Sequence, residues 1–199
     1  MRILSYLLIT TLLIGGCGSV VWNLFFSGRQ DETPNPTQEE VRNVTKWAEQ
    51  GYAEAQYRLG MLYFDQGKGI PQDYQEALKW FRKSAEQGFV EAQFNLGVIY
   101  RDGYGVPKDD QEAIKWWRKS AEQGHADAQT NLGVMYHNGE GVPKDHVLAY
   151  KWVNLAAAQG DEQGVKLRDK LAKRMTPSQI KKAEKLTLEF KPKKENPKK

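Results

Sequence analysis

Two hydrophobic patterns divide the chain. From Ile3 to Phe26 apolar residues run almost unbroken, with Asn23 as the strongly polar member, and no charge falls between Arg2 and Arg29. As a helix this run is about 36 Å long, enough to cross a hydrocarbon layer of about 30 Å. From residue 39 onward apolar positions recur instead at three- and four-residue spacing, which predicts amphipathic helices in pairs. In one such pair Asp109 is an N-cap acceptor with Glu112 three residues on, a capping-box arrangement that Asp73 and Glu76 repeat. Ala113, Trp117, Ser120 and Ala121 then form a stripe flanked by Ile114 and Trp116, and Gly124 ends the helix. The second helix carries Ala128, Leu132, Met135 and Tyr136 on one face, with Gly133 where a missing side chain admits a close neighbour. Gly139, Gly141 and Pro143 predict an irregular connection with positive φ.

The pattern repeats. Residues 75–110 laid over 111–146 give 25 identities in 36. Trp80, Trp116 and Trp152 keep the same 36-residue period, as do Gly88, Gly124 and Gly160, and Asp73, Asp109 and Asp145. Upstream, residues 48–63 match 85–100, with one extra residue in the following loop. A period in the range of about 20–50 residues predicts a solenoid, in which no helix pair buries its apolar face until the next pair stacks on it.

The pattern A-x-x-W-x-x-x-S-A-E-Q-G-x-x-x-A-Q-x-x-L-G-x-x-Y-x-x-G-x-G-V-P-x-D runs from Ala77 to Asp109 and again from Ala113 to Asp145. It resembles the SEL-like repeat, a relative of the tetratricopeptide repeat, over residues 39–165. The resemblance implies an all-α fold, an α/α solenoid of helix-turn-helix units, and a role as adaptor or scaffold that binds protein. Units are expected at about 39–74, 75–110 and 111–146, with a partial one at 147–165. Asn43 replaces the tryptophan in the first unit, and Leu148 replaces the capping-box glutamate in the last. Capping helices are expected over 166–190: Val165, Leu167, Leu171 and Met175 cover the open end, and Thr176-Pro177-Ser178-Gln179 opens the final helix.

Charge and composition sharpen the picture at the ends. The net charge of +4 conceals 16 Lys/Arg against 21 Asp/Glu in residues 1–165, and 13 against 4 in 166–199. Residues 191–199 hold five lysines, two prolines and no hydrophobic residue, which predicts a disordered basic tail. Residues 29–38 read as a linker. Residues 1–28 read as a signal peptide or membrane anchor, with three compatible fates. Trp22, Phe25 and Phe26 suit a retained interfacial anchor. Ile14-Gly15-Gly16-Cys17 resembles a bacterial lipoprotein box, which implies lipidation of Cys17. The charged start followed by an apolar run also fits a cleaved signal. All three export the rest of the chain, to the outer side of the cytoplasmic membrane or to the periplasm.

Chemistry is sparse. A lone cysteine rules out an intrachain disulfide and a thiolate zinc site. His125, His137 and His146 take the places of Phe89, Arg101 and Asp110, so no ligand position recurs, although His137, Glu140, Asp145 and His146 can gather around one loop. No nucleophile motif or phosphate loop is present, no cofactor is called for, and an enzyme is not expected. The alternative is an envelope enzyme or binder acting on a cell-wall-derived or β-lactam-like small molecule. Nucleic acid is not an expected partner, because the repeat body is net negative and exported.

Two sets of residues are candidates for partner contact. Lys79, Arg82 and Lys83 lie opposite the apolar stripe of one first helix, and Lys115, Arg118 and Lys119 repeat them one unit on. The resemblance implies that first helices line the groove, where such a ladder grips acidic groups. The other reading is a solvated face of Arg82–Glu86 and Arg118–Glu122 pairs. The second set is aromatic: Phe94 falls about 200° from Ala92 around its helix, and its equivalents are Tyr57 and Thr130. Phe89 likewise stands beside Tyr52 and His125, and Tyr104 beside Glu140. Rings at positions that change between near-identical units either meet a partner or pack on the next unit. The sequence therefore predicts a non-enzymatic envelope scaffold that binds another protein or peptide, and that meets the membrane through its N-terminal segment.

Overall fold

The computed structural model of the chain describes residues 35–66 and 69–193. The expected N-terminal hydrophobic helix, Cys17 and the linker as far as Pro34 lie outside the described residues, as do 194–199 of the tail. Regular structure among the described residues is helical: α1 (Gln38–Glu49), α2 (Ala53–Phe64), α3 (Tyr74–Glu86), α4 (Val90–Asp102), α5 (Asp110–Glu122), α6 (Ala126–Asn138), α7 (His146–Ala158), α8 (Glu162–Ala172) and α9 (Pro177–Leu188). None is long and apolar enough to cross a membrane. Each helix packs on its successor up to α8, and α9 turns back onto α7.

The punctuation read from the sequence sets the helix starts. Asp73, Asp109 and Asp145 each accept hydrogen bonds from the second and third backbone N–H groups of the helix they open. The reciprocal half of the box, expected from Glu76 and Glu112, is not made. Those carboxylates turn instead to Lys79 at 3.0 Å and Lys115 at 2.8 Å, where a charged donor one turn on outcompetes a neutral N–H. Full capping boxes form at Thr37/Glu40 and at Thr176/Gln179, the latter with Pro177 in the first turn. Gly139 and Gly141 have φ of 79° and 66°, so the α6–α7 connection follows a path that L side chains resist.

Successive units interlock through a glycine. A Cβ on Gly97 of α4 would stand 2.3 Å from the Trp117 ring of α5, and one on Gly133 of α6 would stand 2.3 Å from Val153 Cγ1 of α7. Gly60 and Phe81 repeat the contact between α2 and α3 at 2.7 Å. Small-against-large packing thus brings the second helix of one unit onto the first helix of the next.

A polar ladder runs through the same interfaces. Buried Gln56, Gln93 and Gln129 each donate to the carbonyl of Ala48, Ala85 and Ala121 respectively, at 3.1 Å. Their carboxamide oxygens accept from Gln87, Gln123 and Gln159 of the following unit at 2.6–2.9 Å. Ser84 and Ser120, fully buried, donate to the carbonyls of Ala53 and Val90. The glutamine–glutamine and serine–carbonyl bonds span 30 or 31 residues and so join one 36-residue unit to the next, which makes the A-Q and S-A-E-Q-G signatures encode the stacking register.

At the C-terminal end α8 completes a fourth pair and runs through residue 165, where the repeat region was expected to stop. Gly164 lets it approach the Val153 carbonyl and Ala156 of α7. Leu171, Met175 and Ala183 then bury against the α7 end of the core. At the other end α1 buries little besides Ala48, and Trp47 remains 45% exposed.

Candidate partner-binding surface

The first helices carry three tryptophans at equal spacing, and each is roofed by a lysine. Lys83 Nζ lies 4.2 Å from the Trp80 ring centroid, Lys119 Nζ 4.1 Å from Trp116 and Lys151 Nζ 4.3 Å from Trp152. All three rings are buried, and Trp116 Nε1 has no acceptor among the described residues, whereas Trp117 Nε1 donates to the Phe94 carbonyl.

The arginines between them do not form the expected pairs with Glu86 and Glu122. Arg118 donates to the Tyr136 hydroxyl at 2.6 Å, and Arg82 donates to the Tyr100 hydroxyl in the same way. A neutral phenol holds the guanidinium in place without cancelling its charge. Lys79 and Lys115 are paired with Glu76 and Glu112, and the Glu112 hydrogen bond raises the Lys115 pKa while Arg82 weakly opposes it. The charge of Arg82 on α3 is therefore near enough to be felt at Lys115 on α5. An open depression of about 400 Å³ lies between α5 and the α6–α7 loop, lined by Ile114, Lys115, Arg118, Lys119, Glu122 and Val142 among others.

The aromatic candidates pack across the boundaries between units. Phe94 is half-buried and stacks on His125 with ring centroids 4.7 Å apart. Tyr57 is half-buried against Phe89 at 5.1 Å, and burial raises its pKa. Thr130 donates to Asp161 at 2.7 Å. The two variable positions, 57/94/130 and 89/125/161, therefore face each other across each unit boundary. They vary together because each pair must fit. Tyr104 packs between Phe64 and Tyr74, and its equivalent Glu140 accepts from Arg101 at 3.0 Å.

The residues proposed to gather around the α6–α7 loop go separate ways. Glu140 is held by Arg101, and Asp145 caps α7. His137 and His146 do meet, with ring centroids 5.5 Å apart. They occupy the places of Arg101 and Asp110, so an ion pair in one unit becomes a pair of rings in the next. His137 Nδ1 and His146 Nε2 are buried without hydrogen-bond partners among the described residues. Desolvation lowers the His137 pKa, helped by Lys170, His146, Lys144 and Arg174. No group of three or more metal-ligating side chains occurs among the described residues.

Residues 191–193, where the basic tail begins, have a defined place. After α9 the chain crosses the first-helix face. Phe190 meets Trp152 edge-on at 5.8 Å, and Lys193 binds Glu122 twice. Its backbone N–H donates to the Glu122 carbonyl at 2.8 Å, and its Nζ lies 2.6 Å from the carboxylate. Sequence reasoning missed this because composition reports what a segment cannot bury, not which charges it can reach. The glutamine ladder was also missed, although its 36-residue period was visible.

The comparisons with known proteins agree with this geometry. A family model described as Sel1 repeat matches residues 53–89, 90–125 and 126–161. Its phase groups each second helix with the following first helix, the pairs locked by Gly60, Gly97 and Gly133. A Sel1 repeat protein from Oxalobacter formigenes is 38% identical, with a TM-score of 0.62, over 66% of this chain and 98% of that one. A protective antigen of uropathogenic Escherichia coli displaying an SLR fold is 32% identical, with a TM-score of 0.50, over 76% of this chain and 40% of that one. Cysteine rich protein B of Helicobacter pylori shares the fold at 19% identity and a TM-score of 0.54, over 67% and 99% of the two chains. A comparison with curated proteins gives no match.

Proposed function

The chain belongs to the Sel1 repeat family, whose members generally mediate protein–protein interactions, and on that premise we propose that it is a non-catalytic adaptor of the bacterial cell envelope. Its N-terminal hydrophobic segment holds it at the membrane, and the face of its first helices binds an extended segment of a partner protein. The observation that best supports this is the recurrence of Lys79, Arg82 and Lys83 on α3 as Lys115, Arg118 and Lys119 on α5. A regular row of anchored side chains suits an extended ligand, since each unit offers the same contact one step further along.

Crosslinking from native membranes, followed by identification of what is captured, is the test. Replacing Arg82 and Arg118 with Glu should then weaken the captured complex and remove its salt dependence, at unchanged helical content. A partner indifferent to both substitutions refutes the assignment of this face. The membrane assignment is checked by Cys17→Ser, which leaves membrane fractionation unchanged for a retained anchor. Loss of palmitate labelling and of membrane association together would identify a lipoprotein instead.

A further inference from the structure

The residues that hold the chain's own C-terminal segment recur along the stack. Phe190 lies against Trp152 of α7, and three residues later Lys193 reaches the carboxylate and carbonyl of Glu122 at the end of α5. Three extended residues span about 10 Å, so the segment bridges from one first helix to the C-terminal end of the one before it. The site suits a cation twice over: Glu122 supplies a full negative charge, and the helix end supplies the negative pole of the dipole.

One unit earlier the same positions are Trp116 and Glu86, and one earlier again Trp80 and Glu49. Glu86 is exposed, and its carboxylate makes no hydrogen bond or ion pair with any described residue. Lys119 stands over Trp116 from three residues further on, whereas Lys151 stands over Trp152 from the preceding position and also lies 5.6 Å from the Phe190 ring. The equivalent of Lys119 in the last unit is Leu155. We propose that each tryptophan–glutamate pair is a subsite for an extended segment carrying an aromatic ring followed three residues later by a lysine, the ring displacing Lys83 or Lys119 where that lysine roofs the tryptophan. Phe190–Lys193 is the intramolecular occupant of the last subsite, and a partner segment of the same chemistry takes Trp116/Glu86 and Trp80/Glu49. This rests on the reading above that the first-helix face binds an extended segment; the arginine row takes acidic groups of that segment, and the tryptophan–glutamate pairs take its ring and its lysine.

The test uses the full chain in detergent and a labelled free peptide of residues 187–194, followed by fluorescence anisotropy. The peptide should bind, and Glu86→Gln should weaken it about tenfold, the scale of a lost charge-assisted hydrogen bond. Peptides with alanine for the phenylalanine or for the lysine three residues after it should bind correspondingly less. Phe190→Ala in the full chain should free the last subsite and add one equivalent of bound peptide. The proposal is overturned if Glu86→Gln leaves affinity unchanged, or if a peptide with glutamate for its lysines binds more tightly. Capture of a partner that depends on Arg82 and Arg118, with no binding of this peptide, would sink the subsite chemistry and leave the adaptor reading standing.

Discussion

Gly97→Ala is the substitution that most directly probes the interlock between units. In an exposed helix the change would stabilise by about 1 kcal/mol, because alanine restricts the unfolded chain and favours the helix. Here the new methyl would lie 2.3 Å from Trp117 Cδ1 and Nε1, short of the van der Waals optimum by more than about 1 Å. The ring cannot easily withdraw: Trp117 is 4% exposed and its indole N–H is bound to the Phe94 carbonyl at 3.2 Å. Overpacking of this kind costs about 1–3 kcal/mol, and displacing the indole forfeits roughly a further 1 kcal/mol. With the helix preference subtracted, the net loss should be about 1–3 kcal/mol in chemical denaturation. Gly51→Ala is the control, since Gly51 has φ 95° but nothing within 4 Å of the added Cβ, so strain alone acts, at about 1–2 kcal/mol. The unit before gives the rescue: Phe81 stands at the same place 2.7 Å from a Cβ on Gly60, so Trp117→Phe should recover part of the loss in the double variant. A Gly97→Ala protein as stable as its parent would refute the close approach of α4 and α5.

Other outcomes follow from the same packing. Trp116→Ala should destabilise the stack by about 3–5 kcal/mol, because the ring is 6% exposed; a change below about 1 kcal/mol in denaturation would place it in solvent. Gln93→Leu should cost about 1–3 kcal/mol by removing two buried hydrogen bonds, one to the Ala85 carbonyl and one from the Gln123 amide, each of which keeps Gly88 as a partner, whereas a neutral result would mean the ladder is ornamental. Phe94→Ala and His125→Ala should show coupling in a double-mutant cycle, since their rings stack; strict additivity would return Phe94 to the solvent side. The depressed pKa of His137 makes stability depend on pH. Protons bind the unfolded chain first, so the midpoint should be level above about pH 6.5 and fall as the pH drops below it. His125, whose pKa burial also lowers, contributes to the same decline, so His137→Gln should flatten it in part, and an unchanged profile would exclude His137 as a source.

The solenoid was legible in the sequence because every unit carries its own instructions. Asp109 caps its helix wherever the chain goes, Gly139 and Gly141 admit positive φ that other residues resist, and the period of Trp80, Trp116 and Trp152 follows from repetition alone. The burial of Trp116 and the close approach at Gly133 follow in turn from helical phase, a local property. What the tertiary structure decided are the pairings between units. Helical phase put Phe94 opposite the stripe of its own helix, but that side faces the next unit, where His125 waits for it. Arg82 had Glu86 within reach along its helix, yet Tyr100 of the neighbouring helix holds it. Residues 191–193, too polar to bury anything, are fixed because Glu122 lies 71 positions away in sequence and adjacent in space. Local rules determine which elements form and which face of each is apolar; the choice among competing polar and aromatic partners belongs to whichever group the stacking brings nearest.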